Sequence, residues 1–207
     1  MEKTEFKVIV FTAPYNVYKE AEKWQTLLDA GVDYIHVRKP GSDESQVRDL
    51  LGQIPLGYRS KLVLHDWYHL AVECSLGGIH LNARNNEFWF GGGELVKLLR
   101  VRPDLRLSRS VHSLKELDAA SCEFAYCTLS PIFDSISKPG YKALSGIDAI
   151  SDGIYGRRVV ALGGVTPDCF DFLYEKNFCG AALLGYIWEG DFVPACHILA
   201  DAVKRFK

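Results

Sequence analysis

Five groups of residues in this chain have types and spacing suited to chemistry. The first is Thr128-Leu-Ser-Pro-Ile-Phe-Asp-Ser-Ile-Ser-Lys138, in which the hydroxyls of Ser135 and Ser137 stand beside the ammonium of Lys138. Short hydroxyl donors next to a lysine, on a loop leaving a strand, suit a phosphate or a carboxylate. Pro131 marks where the strand stops, since it has no N–H and a restricted φ. The second is a pair of glycine ends, Ala161-Leu-Gly163-Gly164 and Leu184-Gly185. Glycine lets backbone N–H groups approach an anion closely. The third is Ser108, Ser110 and His112, which share one face of a strand by alternation, and the fourth is His36 with Arg38, which share another. The fifth is His65-Asp66. Imidazole accepts and returns a proton near neutral pH without help from a metal.

These residues need a scaffold that brings strand ends together. Apolar β-branched runs alternate with helical patterns along the chain. Strands are predicted at Lys7–Thr12, Tyr34–Arg38, Lys61–His65, Gly78–Leu81, Arg106–Val111, Phe124–Leu129, Arg158–Leu162 and Gly180–Leu184. Helices are predicted at Tyr18–Ala30, Asp43–Ile54, a short stretch to Cys74, Glu94–Arg100, Leu114–Ala120, Ile147–Gly153, Thr166–Asn177 and Val193–Lys204. The spacing allows about eight strand–helix units of roughly 26 residues. A single (β/α)₈ barrel, the TIM-barrel class of α/β fold, spanning residues 1–207 is therefore expected; an open doubly wound sheet is the alternative. In a barrel, strand C-termini form the site, and the loops after strands seven and eight hold phosphate. His36, His65, His80 and His112, four of the six histidines, then fall at strand ends.

Bulk properties narrow the partners. The chain has 207 residues, 48% of them apolar, and a formal net charge of −2 without a long run of one sign. That argues against nucleic acid and against an anionic membrane surface. No apolar stretch is long enough to span a bilayer, and the charged start is unlike a signal peptide. The six cysteines have no zinc-like spacing and read as free thiols of a cytoplasmic protein. A small phosphorylated ligand is the expected partner, and homo-oligomerisation is left open. A metal-dependent hydrolase is disfavoured because no His-x-His follows the first strand.

Taken in order, the motifs resemble the thiamin phosphate synthase and thiazole tautomerase superfamily over nearly the whole chain. Gly78-Ile-His-Leu81 is similar to its fourth strand, and Ser110-Val-His-Ser113 to the tautomerase's fifth. Ser130 to Lys138 resembles its phosphate loop; Ala161–Gly164 and Leu183–Gly185 resemble its last two strands, with Gly185 where the family often has serine. The resemblance implies a thiamin-biosynthesis enzyme acting on a thiazole phosphate. The synthase branch joins a pyrimidine pyrophosphate to that thiazole and uses Mg²⁺. Its second strand ends Gln-x-Arg-x-Lys, and its metal carboxylates follow strands three and four. Here those positions give His36, Arg38 and a displaced Lys39, then Asp66 and Asn85. The resemblance thus implies pyrophosphate or substrate contacts for His36, Arg38, Lys39 and Ser110, and Asp66 with Asn85 as metal ligands if the chain is a synthase. The tautomerase branch needs no cofactor; its key histidine matches His112, and the phosphate sits on Gly163, Gly164, Gly185, Ser135, Ser137 and Lys138. The tautomerase is the favoured expectation, with the synthase and a non-catalytic phosphate binder as alternatives. The loop at Pro139-Gly140-Tyr141 is expected to move when empty.

Overall fold

The fold follows from how the strands divide their side chains. In the first strand, β1 (Lys7–Phe11), Val8 and Val10 join the apolar layer under the helices, while Ile9 and Phe11 belong to a separate interior cluster with Tyr126, Val160 and Ala182. The same alternation runs through β2 (Tyr34–Val37), β3 (Leu62–Leu64), β4 (Gly78–Leu81), β5 (Arg106–Val111), β6 (Tyr126–Leu129), β7 (Val159–Ala161) and β8 (Gly180–Leu183). Each strand pairs in parallel with the next, and β8 pairs with β1, so the sheet closes. This computed structural model describes residues 5–82, 93–120, 124–134, 143–144 and 158–207. Within them the expected (β/α)₈ barrel is present and the open sheet is not.

The helices are amphipathic and cover the barrel. α1 (Glu20–Asp29) buries Ala21, Trp24, Leu27 and Leu28, the face its spacing predicts. α2 (Glu44–Gly52) starts with a capping box: Asp43 accepts from the Gln46 N–H at 2.9 Å, and the Gln46 side chain accepts from the Asp43 N–H at 3.0 Å. It ends before the predicted Ile54. Pro55 opens a further short helix, α3 (Leu56–Arg59), because a proline suits a helix start as well as a stop. α4 (His69–Glu73), α5 (Glu94–Val101) and α6 (Leu114–Asp118) follow their strands. The predicted helix at Thr166–Asn177 is a 3₁₀ turn, Pro167–Cys169, running into α7 (Phe170–Glu175). α8 (Gly185–Trp188) and α9 (Phe192–Lys204) complete the chain. The predicted helix Ile147–Gly153 and the loop Pro139–Tyr141 lie outside the described residues. No helix among the described residues is long and apolar enough to cross a membrane.

Candidate active site

Register sets what meets inside the barrel. Phe11 pairs with His36, His36 with Val63, His80 with Ser108, and Ser110 with Thr128. His36 and His80 are fully buried and His65 is 2% exposed. His36 Nδ1 lies 3.0 Å from His65 Nε2, and its Nε2 lies 2.6 Å from the Tyr126 hydroxyl. His80 faces the hydroxyls of Ser108 and Ser110, each at 2.8 Å from one ring nitrogen. Phe11 stacks on His36 at 4.6 Å between ring centres, and His65 stacks on His80 at 4.3 Å.

Burial holds the His36 and His80 rings neutral. Desolvation, then the charges of Arg109 and Arg38, brings His80 down to about 3, and desolvation with His80 and Arg106 holds His36 well below the usual imidazole range. Burial likewise pushes the Tyr126 phenol above its usual value. Tyr126 is absent from the residues singled out by sequence. Alternation from Thr128 on the same strand places it on the inner face.

His112 is set apart from this cluster. It follows β5, is exposed, and keeps its ring at the rim. Its backbone N–H donates to Glu116 on α6 at 2.9 Å. Ser113 caps that helix by accepting from the Glu116 N–H at 3.1 Å. His112 Nδ1 lies 3.2 Å from the Ser130 carbonyl oxygen and 3.1 Å from the Ser130 hydroxyl. A carbonyl only accepts, so in this contact Nδ1 is the donor. Among the described residues, Nε2 has no hydrogen-bond partner.

The remaining expected residues divide clearly. Arg38 lies just past β2, half-buried, with its N–H donating to Thr12 Oγ1 at 2.9 Å. Lys39 points to the other side of that strand end. Its ammonium donates to Glu20 Oε2 at 2.6 Å and to the Tyr15 carbonyl at 2.8 Å. Glu20 Oε1 is 2.5 Å from the same nitrogen, a charge contact without hydrogen-bond geometry. Both side chains are buried, and desolvation pushes Glu20 up and Lys39 down. The structure therefore brings Lys39 to Glu20 and not to the mouth. Ser110 faces inward, toward His80.

Gly163 and Gly164 have φ of +91° and +65°, and they pack against the chain after β6. The N–H groups of Ile132 and Phe133 donate to the carbonyls of Leu162 and Gly163 at 2.9 and 3.0 Å. A Cβ on Gly164 would stand 2.3 Å from the Asp134 carbonyl oxygen. These glycines are thus required by backbone geometry, whether or not an anion also uses them. Gly185 begins α8. Ser135, Ser137, Lys138 and Asn85 lie outside the described residues.

Asp66 is half-buried and lines a cavity of about 830 Å³ with Ser42, Trp67, His69, Glu73 and Lys97. This cavity sits on the flank between α4 and α5; His112, Ser130 and the glycines do not line it. The Mg²⁺ that the synthase resemblance implies would need Asp66 and Asn85, and Asn85 lies outside the described residues. One carboxylate and one carboxamide make a weak donor set for a hard cation, which favours charged oxygen ligands.

Comparison with known proteins adds a lineage to this geometry. The family model described as thiamine monophosphate synthase matches residues 8–187. A thiamine-phosphate synthase of Yersinia pestis is 29% identical over 187 residues, covering 84% of each chain. One from Pectobacterium atrosepticum is 31% identical over 162 residues, covering 74% of this chain and 73% of its own. Among solved structures, a thiamine phosphate pyrophosphorylase from Bacteroides thetaiotaomicron superposes with a TM-score of 0.75 at 26% identity over 97% of both chains.

Proposed function

Since the chain belongs to the thiamine monophosphate synthase family, whose members serve thiamin formation, we propose that it acts on a thiazole phosphate by metal-independent proton transfer, as a thiazole tautomerase. The observation that carries this reading is His112, exposed at the end of β5 with Nδ1 held by Ser130 and Nε2 directed away from that anchor. In the reaction, Nε2 takes a proton from the thiazole carboxylate tautomer and returns it at the exocyclic carbon. The ring becomes aromatic, and the atoms and charge of substrate and product are the same. An anionic substrate is favoured by Arg38, just past the C-terminal end of β2, whose charge reaches the buried His80. The phosphate would lie on the amides near Gly163, Gly164 and Gly185, opposite Ser135, Ser137 and Lys138.

A second reading, the Mg²⁺-dependent synthase, is favoured by the names of the relatives. Against it stand the residues of the pyrophosphate arm. His36 is committed to Tyr126 and His65, Lys39 to Glu20, and Ser110 to His80. The test is to assay both reactions on the purified protein, with and without Mg²⁺. Tautomerisation without Mg²⁺ supports the proposal. Condensation of the two substrates only with Mg²⁺, and no tautomerisation, replaces it with the synthase.

A further inference from the structure

The interior histidines have no part in that reaction, and their arrangement has a chemistry of its own. They come from three adjacent elements: His36 from β2, His65 directly after β3, and His80 from β4. One ring nitrogen from each lies within 4.8 Å of the others. Zinc–nitrogen bonds of 2.0–2.1 Å in a tetrahedron imply ligand atoms roughly 3.3 Å apart. His36 Nδ1 and His65 Nε2, at 3.0 Å, already stand near that separation.

The outer contacts also fit. Metal-bound imidazoles keep the second ring nitrogen in a hydrogen bond that orients the ring. His36 keeps Nε2 on the Tyr126 hydroxyl. His80 has a serine hydroxyl at each nitrogen, so it can release one and stay anchored by the other. Phe11 supplies an apolar wall, with its ring 4.6 Å from that of His36 and 5.2 Å from that of His65.

From this geometry we infer that His36, His65 and His80 form a binding site for a borderline divalent transition ion, of the zinc or cobalt class, distinct from the Asp66 region. Three neutral imidazoles select such an ion over Mg²⁺, which prefers oxygen. They leave a fourth position for water or an anion, and the charge of Arg38, which reaches His80, favours the anion. Binding replaces the His36–His65 hydrogen bond with two metal–nitrogen bonds, and the ring that carried the linking N–H shifts its proton to its other nitrogen, so all three imidazoles stay neutral.

The experiment uses the full chain, stripped of metal and titrated with Co²⁺. Visible absorption is followed, and crystals soaked in Co²⁺ are measured at the cobalt edge. The expected result is one equivalent bound with four-coordinate nitrogen bands and no thiolate charge transfer. An anomalous peak should lie about 2.0–2.2 Å from His36 Nδ1 and His65 Nε2. Excess Mg²⁺ should not compete, and His65→Gln should lose the peak. If His65→Gln does not fold, the wild-type map decides alone. No peak at the three histidines under saturating Co²⁺, or peaks only at His69, His112, His197 or a cysteine, overturns the inference and leaves a hydrogen-bonded imidazole network.

Discussion

His80 and His112 stand at the ends of neighbouring strands, yet they are different chemical objects. His80 is fully buried, held by two serine hydroxyls, and pushed down to about 3 by desolvation and nearby arginines. His112 is exposed, held at one nitrogen only, and tied by its backbone to the helix that follows. The residue type is the same. The difference is depth: His80 lies within β4, at the level of Ser108, while His112 lies one residue beyond β5. Inside the barrel, burial keeps the His80 imidazole neutral. At the rim the His112 ring is open to solvent and to the barrel mouth.

The largest expected effect separates the two by rate. His112→Asn should lower kcat for tautomerisation by about 10²–10⁴ with little change in thermal midpoint, because the side chain is exposed. A kcat near wild type would remove His112 from the mechanism and make the rim and the interior equivalent. Next in size is Lys39→Met, which asks whether Lys39 serves substrate or fold. It strands Glu20 in a buried site, so a loss of about 3–5 kcal/mol is expected in urea unfolding, with the binding of thiazole phosphate unchanged in the folded fraction. Weakened binding at undiminished stability would return Lys39 to the mouth.

The third test is acid. A buried histidine whose folded value is about 3 and whose unfolded value is near 6.5 binds fewer protons folded than unfolded between those limits. Its stabilising contribution is complete above 6.5 and is lost as the pH falls toward 3. The loss proceeds at up to about 1.4 kcal/mol per pH unit. Urea midpoints at pH 7 and pH 5 should therefore converge more closely in His80→Asn than in the wild type. Equal spacing in both would mean His80 is already charged or solvated. The smallest effect is Ser113→Ala. It removes the cap of α6, at a cost of about 1 kcal/mol. Because Glu116 of that helix holds the His112 N–H, a modest fall in kcat should accompany the loss of stability. An unchanged kcat would show that Ser130 alone positions the ring.

The barrel was legible because its signal is local and repeated. Val8, Val10, Ile35 and Val37 announce their faces by period-two alternation, and Asp43 and Ser113 announce helix starts by their own hydrogen bonds. Boundaries shifted where one residue type has two uses, as with Pro55 opening α3 after α2 has closed. The site was legible only in part. The sequence by itself determined which histidines lie at strand ends, that His36 and Arg38 share a face, and that the last two strands end in glycine. Pairing across the chain decided the rest. Glu20 and Lys39 are 19 residues apart and meet because β2 delivers Lys39 outward to the start of α1. Tyr126 reaches His36 across 90 residues, and His65 reaches His36 across 29. Such contacts depend on barrel closure and strand register, which no local pattern encodes, and burial then set which imidazoles stay neutral inside and which one remains at the rim.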